Sequence, residues 1–245
     1  MNVDFKIILY IIFGILPSLT WLSYYLRKDV HPESNRMIIK IFLWGAVITV
    51  PVFFVQIGLT TALNKFSAQL PSLAVSLIYW FLIISFIEEL FKYLVIRQKI
   101  INNKELDEPL DIMLYMVIAA LGFAALENIL YMFSPIDNLS FNDIINRTVI
   151  ISFIRFIGAT FLHTLCSGLV GYFLAISFYK TKRRKIIFFS GLLVATALHG
   201  LYDFSIMTIE LPMKVIIPVV ILIMLAIFVV SGFENLKKLK SVCKV

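Results

Sequence analysis

Seven stretches of predominantly apolar residues, each long enough to cross a lipid bilayer, follow one another along this chain. They run from Phe5 to Leu26, Met37 to Thr60, Leu73 to Ile96, Leu110 to Phe133, Thr148 to Tyr179, Ile186 to Met207 and Val215 to Gly232. A bilayer core of about 30 Å needs roughly 20 such residues per helix, and lipid leaves no partner for an open backbone. The expected fold is therefore all-α: a polytopic bundle of about seven membrane-spanning helices. The gaps are short and no internal repeat is visible, so residues 1–245 read as one integral domain, with its motif-bearing core at 73–207. The first span has no alanine-based cleavage site and reads as a retained helix.

Composition excludes the soluble alternatives. Hydrophobic residues make up 60% and charged residues 15%, against about 45–50% and 25% in soluble domains. A net charge of +7 would suggest nucleic acid in a soluble chain, but the basic residues here sit in the gaps between apolar spans, and no nucleic-acid partner is expected. Cys166 and Cys243 have no ligand or disulfide spacing. The gaps 27–36, 97–109 and 180–185 and the tail from 233 hold 15 lysines and arginines, against 4 at Lys6, Lys65, Arg147 and Lys214. This asymmetry predicts an external N-terminus and a cytoplasmic C-terminus. Trp21, Tyr24 and Tyr25, just ahead of Arg27 and Lys28, read as an interfacial aromatic belt. Pro17, Pro51 and Pro218 fall inside spans, where they kink helices.

Ionisable side chains inside such spans cost about 2.5–3.5 kcal/mol each on insertion and persist where they face a cavity or a partner. The third span carries Glu88, Glu89 and Lys92 in FIEELFKYLVIR, with the lysine three and four residues from the carboxylates and within reach of both. Taken alone, the trio has a second reading, as a buried ion pair that only holds helices together. The fourth span carries Glu127 and Asn128 in GFAALEN, with small Gly122, Ala124 and Ala125 permitting close helix approach. The fifth carries His163 with Ser167 one turn on, and the sixth His199 with Asp203 one turn on. A lone histidine on an apolar helix is ordinarily a packing residue, and Glu127 with Asn128 an interhelical hydrogen-bond pair. Three glutamates, two histidines and an aspartate on four consecutive spans are hard to explain as helix glue. Arg155 either snorkels outward or neutralises a carboxylate. His31, in the loop VHPESNR, has no such context.

EELFK at 88–92, FAALEN at 123–128, HTLCSGLVGY at 163–172 and HGLYD at 199–203, in this order, resemble the PrsW family of intramembrane proteases, distant relatives of the CAAX prenyl-protease and bacteriocin-immunity superfamily. The resemblance covers about half the chain. It implies a multi-pass peptidase of the bacterial plasma membrane that cuts a membrane-anchored protein of the anti-sigma-factor type. Where the wider CAAX pattern has histidine at the end of its second motif, this chain has Glu127, which argues against a prenylated substrate.

Peptide hydrolysis needs an activated water, an oxyanion stabiliser and a proton donor for the leaving amine. Glu88 is expected as base, tuned by Glu89 and Lys92. His163 and His199 are expected either to polarise the scissile carbonyl or to hold a metal, with Asp203 orienting His199. The catalytic candidates are thus Glu88, Glu89, Glu127, His163 and His199, supported by Lys92, Asn128 and Asp203. His163, His199 and Glu127 are a donor set that one zinc ion accepts. The alternative is no cofactor, favoured here because adjacent glutamates already supply an acid and a base. Ser167 lacks the context of a nucleophile. Competing readings are a proton-coupled transporter and a catalytically idle immunity or scaffold protein.

Overall fold

The computed structural model describes residues 3–29, 31–134, 141–179 and 181–239. Lys180, Lys240, Cys243 and Lys244, which the charge and cysteine readings used, lie outside these. Among the described residues there are nine α-helices and no strand: α1 (Val3–Leu26), α2 (Asn35–Phe66), α3 (Ser72–Leu77), α4 (Ile87–Lys99), α5 (Pro109–Met132), α6 (Phe141–Ile157), α7 (Ala159–Tyr179), α8 (Arg184–Thr208) and α9 (Met213–Lys237). A π-helical stretch, Ile78–Phe86, joins α3 to α4 in one rod. Helices α6 and α7 share another rod, stepping at Gly158. Seven rods are long and apolar enough to cross a membrane, as the hydropathy pattern requires.

Helix α5 is the axis. Residues 109–125 are all buried, and α1, α2, α4, α7 and α9 surround them. Helices in lipid gain little from hydrophobic association, so close packing through small residues does the work. Gly45 on α2 and Gly122 on α5 bring these backbones together: a Cβ on Gly122 would lie 1.9 Å from the Phe42 carbonyl oxygen, and one on Gly45 2.0 Å from that of Ala119. We expect Gly122→Val to destabilise the bundle by about 3 kcal/mol or more, above the usual overpacking penalty because the obstacle is backbone. Unfolding in detergent measures this, with Gly58→Ala as the control, since a Cβ there meets nothing within 4 Å.

The aromatic belt is corrected in part. Trp21 donates its indole N–H to the Phe156 carbonyl at 2.9 Å and stacks on Phe161 at 4.3 Å. It clamps α1 onto the α6–α7 step. Tyr25 is buried, with its hydroxyl 3.3 Å from that of Thr164. Only Tyr24 stays exposed, with Lys28 over its ring at 5.0 Å.

Residues 31–34 dock on the start of α5, where Asp111 accepts the N–H groups of Asp107 and Glu108 at 3.1 and 2.7 Å. His31 Nδ1 lies 2.6 Å from Glu108 Oε1, and Tyr115 donates to Glu33. Desolvation is the largest influence on Glu33 and raises its carboxyl above the usual range, with the Tyr115 hydroxyl opposing. A carboxyl raised in the folded state stabilises fully below its unfolded value, and that contribution is lost as pH rises through the folded one. Glutamine can accept from Tyr115 and donate to Asp111 without a charge. Glu33→Gln should therefore raise the melting temperature at neutral pH, and the gain should shrink towards zero near pH 4, below the ordinary glutamate value of about 4.3. Melting curves at the two pH values check this.

Candidate active site

The third rod delivers the paired glutamates. A π-helix is wider than an α-helix and recurs at functional sites. Here its inner side is stitched by Ser85, whose Oγ lies 2.9 and 3.0 Å from the carbonyls of Trp80 and Phe81 and 3.1 Å from that of Thr196 on α8. Gly200 permits that approach, because a Cβ on it would come within 2.9 Å of Phe81 and Ser85. The neighbouring His199 is thereby set against the first turn of α4. Glu88, Glu89 and Lys92 are buried, the last two completely.

The two glutamates have different surroundings. Glu89 is saturated: Oε1 lies 2.8 Å from Lys92 Nζ and 3.0 Å from His199 Nδ1, and Oε2 accepts from Ser167 at 2.9 Å. Glu88 receives one hydrogen bond, from the Gln56 amide to Oε1 at 3.1 Å. Its Oε2 is buried and has no hydrogen-bond partner, although Lys92 Nζ, His163 Nδ1 and His199 Nε2 lie at 3.5, 3.8 and 3.9 Å.

The histidines are oriented by carboxylates. His163 Nε2 meets Glu127 Oε2 at 2.9 Å, and its Nδ1 faces Lys92 Nζ at 2.8 Å. A carboxylate on one ring nitrogen and an ammonium on the other select the Nε2–H tautomer, with the lone pair at Nδ1. Glu89 places an N–H on Nδ1 of His199, while Nε2 faces the carboxylates of Asp203 at 3.4 Å and Glu88 at 3.9 Å and offers a lone pair only when the ring is neutral. Arg155, whose role the sequence left open, pairs with Glu127 Oε2 at 2.5 Å and donates to Asn128. Asn128 in turn donates to the Gly14 carbonyl at 3.2 Å and to Thr160 at 3.0 Å. It ties α5 to α1, α6 and α7.

All eight expected residues converge here, but two roles differ from expectation. Glu127 does not complete the histidine donor set; it lies on the far ring nitrogen of His163, where it is held by Arg155. Glu88 takes that place, and one ligand atom from each of Glu88, His163 and His199 lies within 4.8 Å of the other two. The partner that orients His199 through Nδ1 is Glu89, while Asp203 Oδ2 sits 3.4 Å from Nε2, on the ligand side. Gln56 and Thr160 lie outside every motif. The one sequence signal for Gln56 is an amide inside the apolar run FFVQIGL.

A metal fits these residues. The orphaned oxygen of Glu88 lies 3.8 Å from His163 Nδ1 and 3.9 Å from His199 Nε2, the oxygen and nitrogen donors that zinc prefers. Around it, the carboxylates Glu88, Glu89, Glu127 and Asp203 outnumber the cations Lys92 and Arg155 by two, which matches a divalent charge. Glu127 on His163 and Glu89 on His199 are the carboxylates that fix histidine ligands from behind.

A cleft of about 240 Å³ between α2, α4 and α5 reaches this centre, lined by Thr49, Gln56, Glu88, Phe123, Glu127 and Tyr131 among others. Glu88 and Glu127, on different helices, both open on this one cleft.

Fold and site together define a multi-pass membrane protein with a buried acid–base centre. A family model described as PrsW family intramembrane metalloprotease matches residues 33–231. Protease PrsW of Clostridioides difficile is 32% identical, over 86% of this chain and 84% of the relative. The proteins of the same name from Oceanobacillus iheyensis and Bacillus subtilis are each 30% identical, over 78% of this chain and 80% and 79% of their own. No solved structure matches the chain significantly. The chain belongs to the PrsW family of intramembrane proteases. It is an intramembrane peptidase, and neither the transporter nor the idle-scaffold reading is favoured.

Proposed function

We propose that this peptidase hydrolyses a bond in a membrane-anchored protein of the anti-sigma-factor type, in a bacterial plasma membrane, with Glu88 handling the proton. The observation that carries this reading is the buried, unpartnered Oε2 of Glu88, set beside two carboxylate-braced histidines at the end of a cleft. Glu88, His163 and His199 would hold one zinc ion. Such an ion, when bound, acidifies water and polarises the scissile carbonyl.

The chain's own residues do the rest. Where no ion is held, the free Oε2 of Glu88 takes one proton from the attacking water as the water oxygen bonds to the carbonyl carbon. It then passes that proton to the amine nitrogen as the C–N bond breaks. Glu127 and Glu89 keep the two imidazoles in the required tautomers, and Arg155 holds Glu127. Lys92 compensates Glu89, to which it is bonded.

One observation favours a metal-free version in which Glu88 alone activates water: Lys92 already occupies the lone pair of His163 Nδ1. Ammonium and metal compete for that nitrogen.

The cleft lies between membrane-spanning helices, so substrate reaches it from within the bilayer. The excess of basic residues in one set of gaps supports an external N-terminus and a cytoplasmic C-terminus. Purified protein in liposomes should cut a single-span anchored peptide and spare the same segment without its anchor. Cleavage of the soluble segment alone would sink this reading, and uptake driven by a pH gradient without cleavage would support transport instead.

A further inference from the structure

We propose that Gln56 on α2 is a positioning residue for the hydrolysis, acting through Glu88. This inference rests on the protease reading. An amide in an apolar span is costly to insert unless it is partnered, and the partner here is Glu88 Oε1, 3.1 Å from Gln56 Nε2. The amide must present its N–H edge, since its carbonyl would be repelled by a carboxylate.

The consequence is a division of labour between the two oxygens of Glu88. Oε1 is held against the α2 wall of the cleft, which leaves Oε2 the free oxygen, turned towards His163 and His199. Lys92 Nζ, 3.5 Å from Oε2 and 2.8 Å from His163 Nδ1, draws that oxygen to the histidine side, while Gln56 anchors Oε1 on the opposite helix. Its location agrees with the role: it lines the cleft beside Glu88 and Glu127 and is half-buried. A purely structural amide between α2 and α4 would bind the helices and nothing more. That is the rival account.

Gln56→Met keeps the length of the side chain and removes the donor. In proteoliposomes it should lower kcat by about 10- to 100-fold, the usual effect of losing a partner that orients a reactive group. KM and the melting temperature should stay close to wild type. Gln56→His, which restores an N–H at this wall, should recover part of the loss. A second readout needs no turnover: the infrared carboxylate band that Glu88→Gln abolishes should move in Gln56→Met. An unmoved band, or a lower melting temperature with kcat intact, overturns the inference. If the wild type cleaves no anchored peptide, the protease reading fails, and the infrared band still decides whether Gln56 orients Glu88.

Discussion

Glu88→Gln should lower cleavage of an anchored peptide by about 100- to 10,000-fold, the range over which a positioned acid or base contributes, while the protein inserts and melts like wild type. The expectation follows from the asymmetry of the two glutamates. Glu88 accepts one neutral hydrogen bond and keeps a free oxygen, so a neutral amide of the same shape removes little that holds the bundle together. It does remove the group able to take a proton from water. Glu89→Gln should behave differently. Glu89 carries Lys92, His199 and Ser167. Neutralising it takes from a buried ammonium the nearer of its two carboxylate partners, at a cost of about 3 kcal/mol. That variant should be poorly folded as well as inactive. Kinetics and detergent unfolding on the same preparations separate the two effects. Near wild-type turnover in Glu88→Gln would remove Glu88 from the chemistry.

How much of this was legible beforehand depends on which physics is local. The seven spans follow from hydropathy, because lipid demands apolar length and internal hydrogen bonding wherever the chain crosses. The chemistry-bearing residues were legible too, since an ionised side chain in such a span is costly and stands out. What the sequence withholds is their relative rotation and depth. The π-helical stretch before Glu88 and the step at Gly158 are register events, and apolar composition on either side conceals both. The π-helical stretch leads directly into Glu88, which shares one cleft with Glu127. Nor does spacing say which nitrogen of a histidine a carboxylate will meet. The i, i+4 relation of His199 and Asp203 suggested an orienting pair, but that contact falls on the nitrogen that faces Glu88. Trp21 shows the same limit: an aromatic residue beside basic ones reads as interfacial, and only the fold reveals that the Phe156 carbonyl claims its N–H.

Metal removal should be the other large effect, and it tests the donor set as well as the mechanism. If Glu88, His163 and His199 hold zinc, protein purified without chelator should contain about one equivalent. A strong chelator should abolish cleavage, and zinc should restore it. His163→Ala, His199→Ala and Glu88→Ala should each empty the site. Glu127→Gln should not empty it, because Glu127 acts from behind His163 through Nε2; the loss expected there is about 10- to 100-fold in affinity, as for other carboxylates that brace a histidine ligand. A protein in which Glu127→Gln empties the site and Glu88→Ala does not would restore the ligand set read from the sequence. Lys92→Met adds an independent check. Its ammonium shares the Nδ1 lone pair of His163, so removing it should tighten zinc binding if metal and lysine compete there. Should cleavage survive complete removal of metal while Glu88→Gln still abolishes it, Glu88 activates water unaided. Lys92 on Nδ1 is then part of the working site, where it keeps His163 in the tautomer that donates to Glu127.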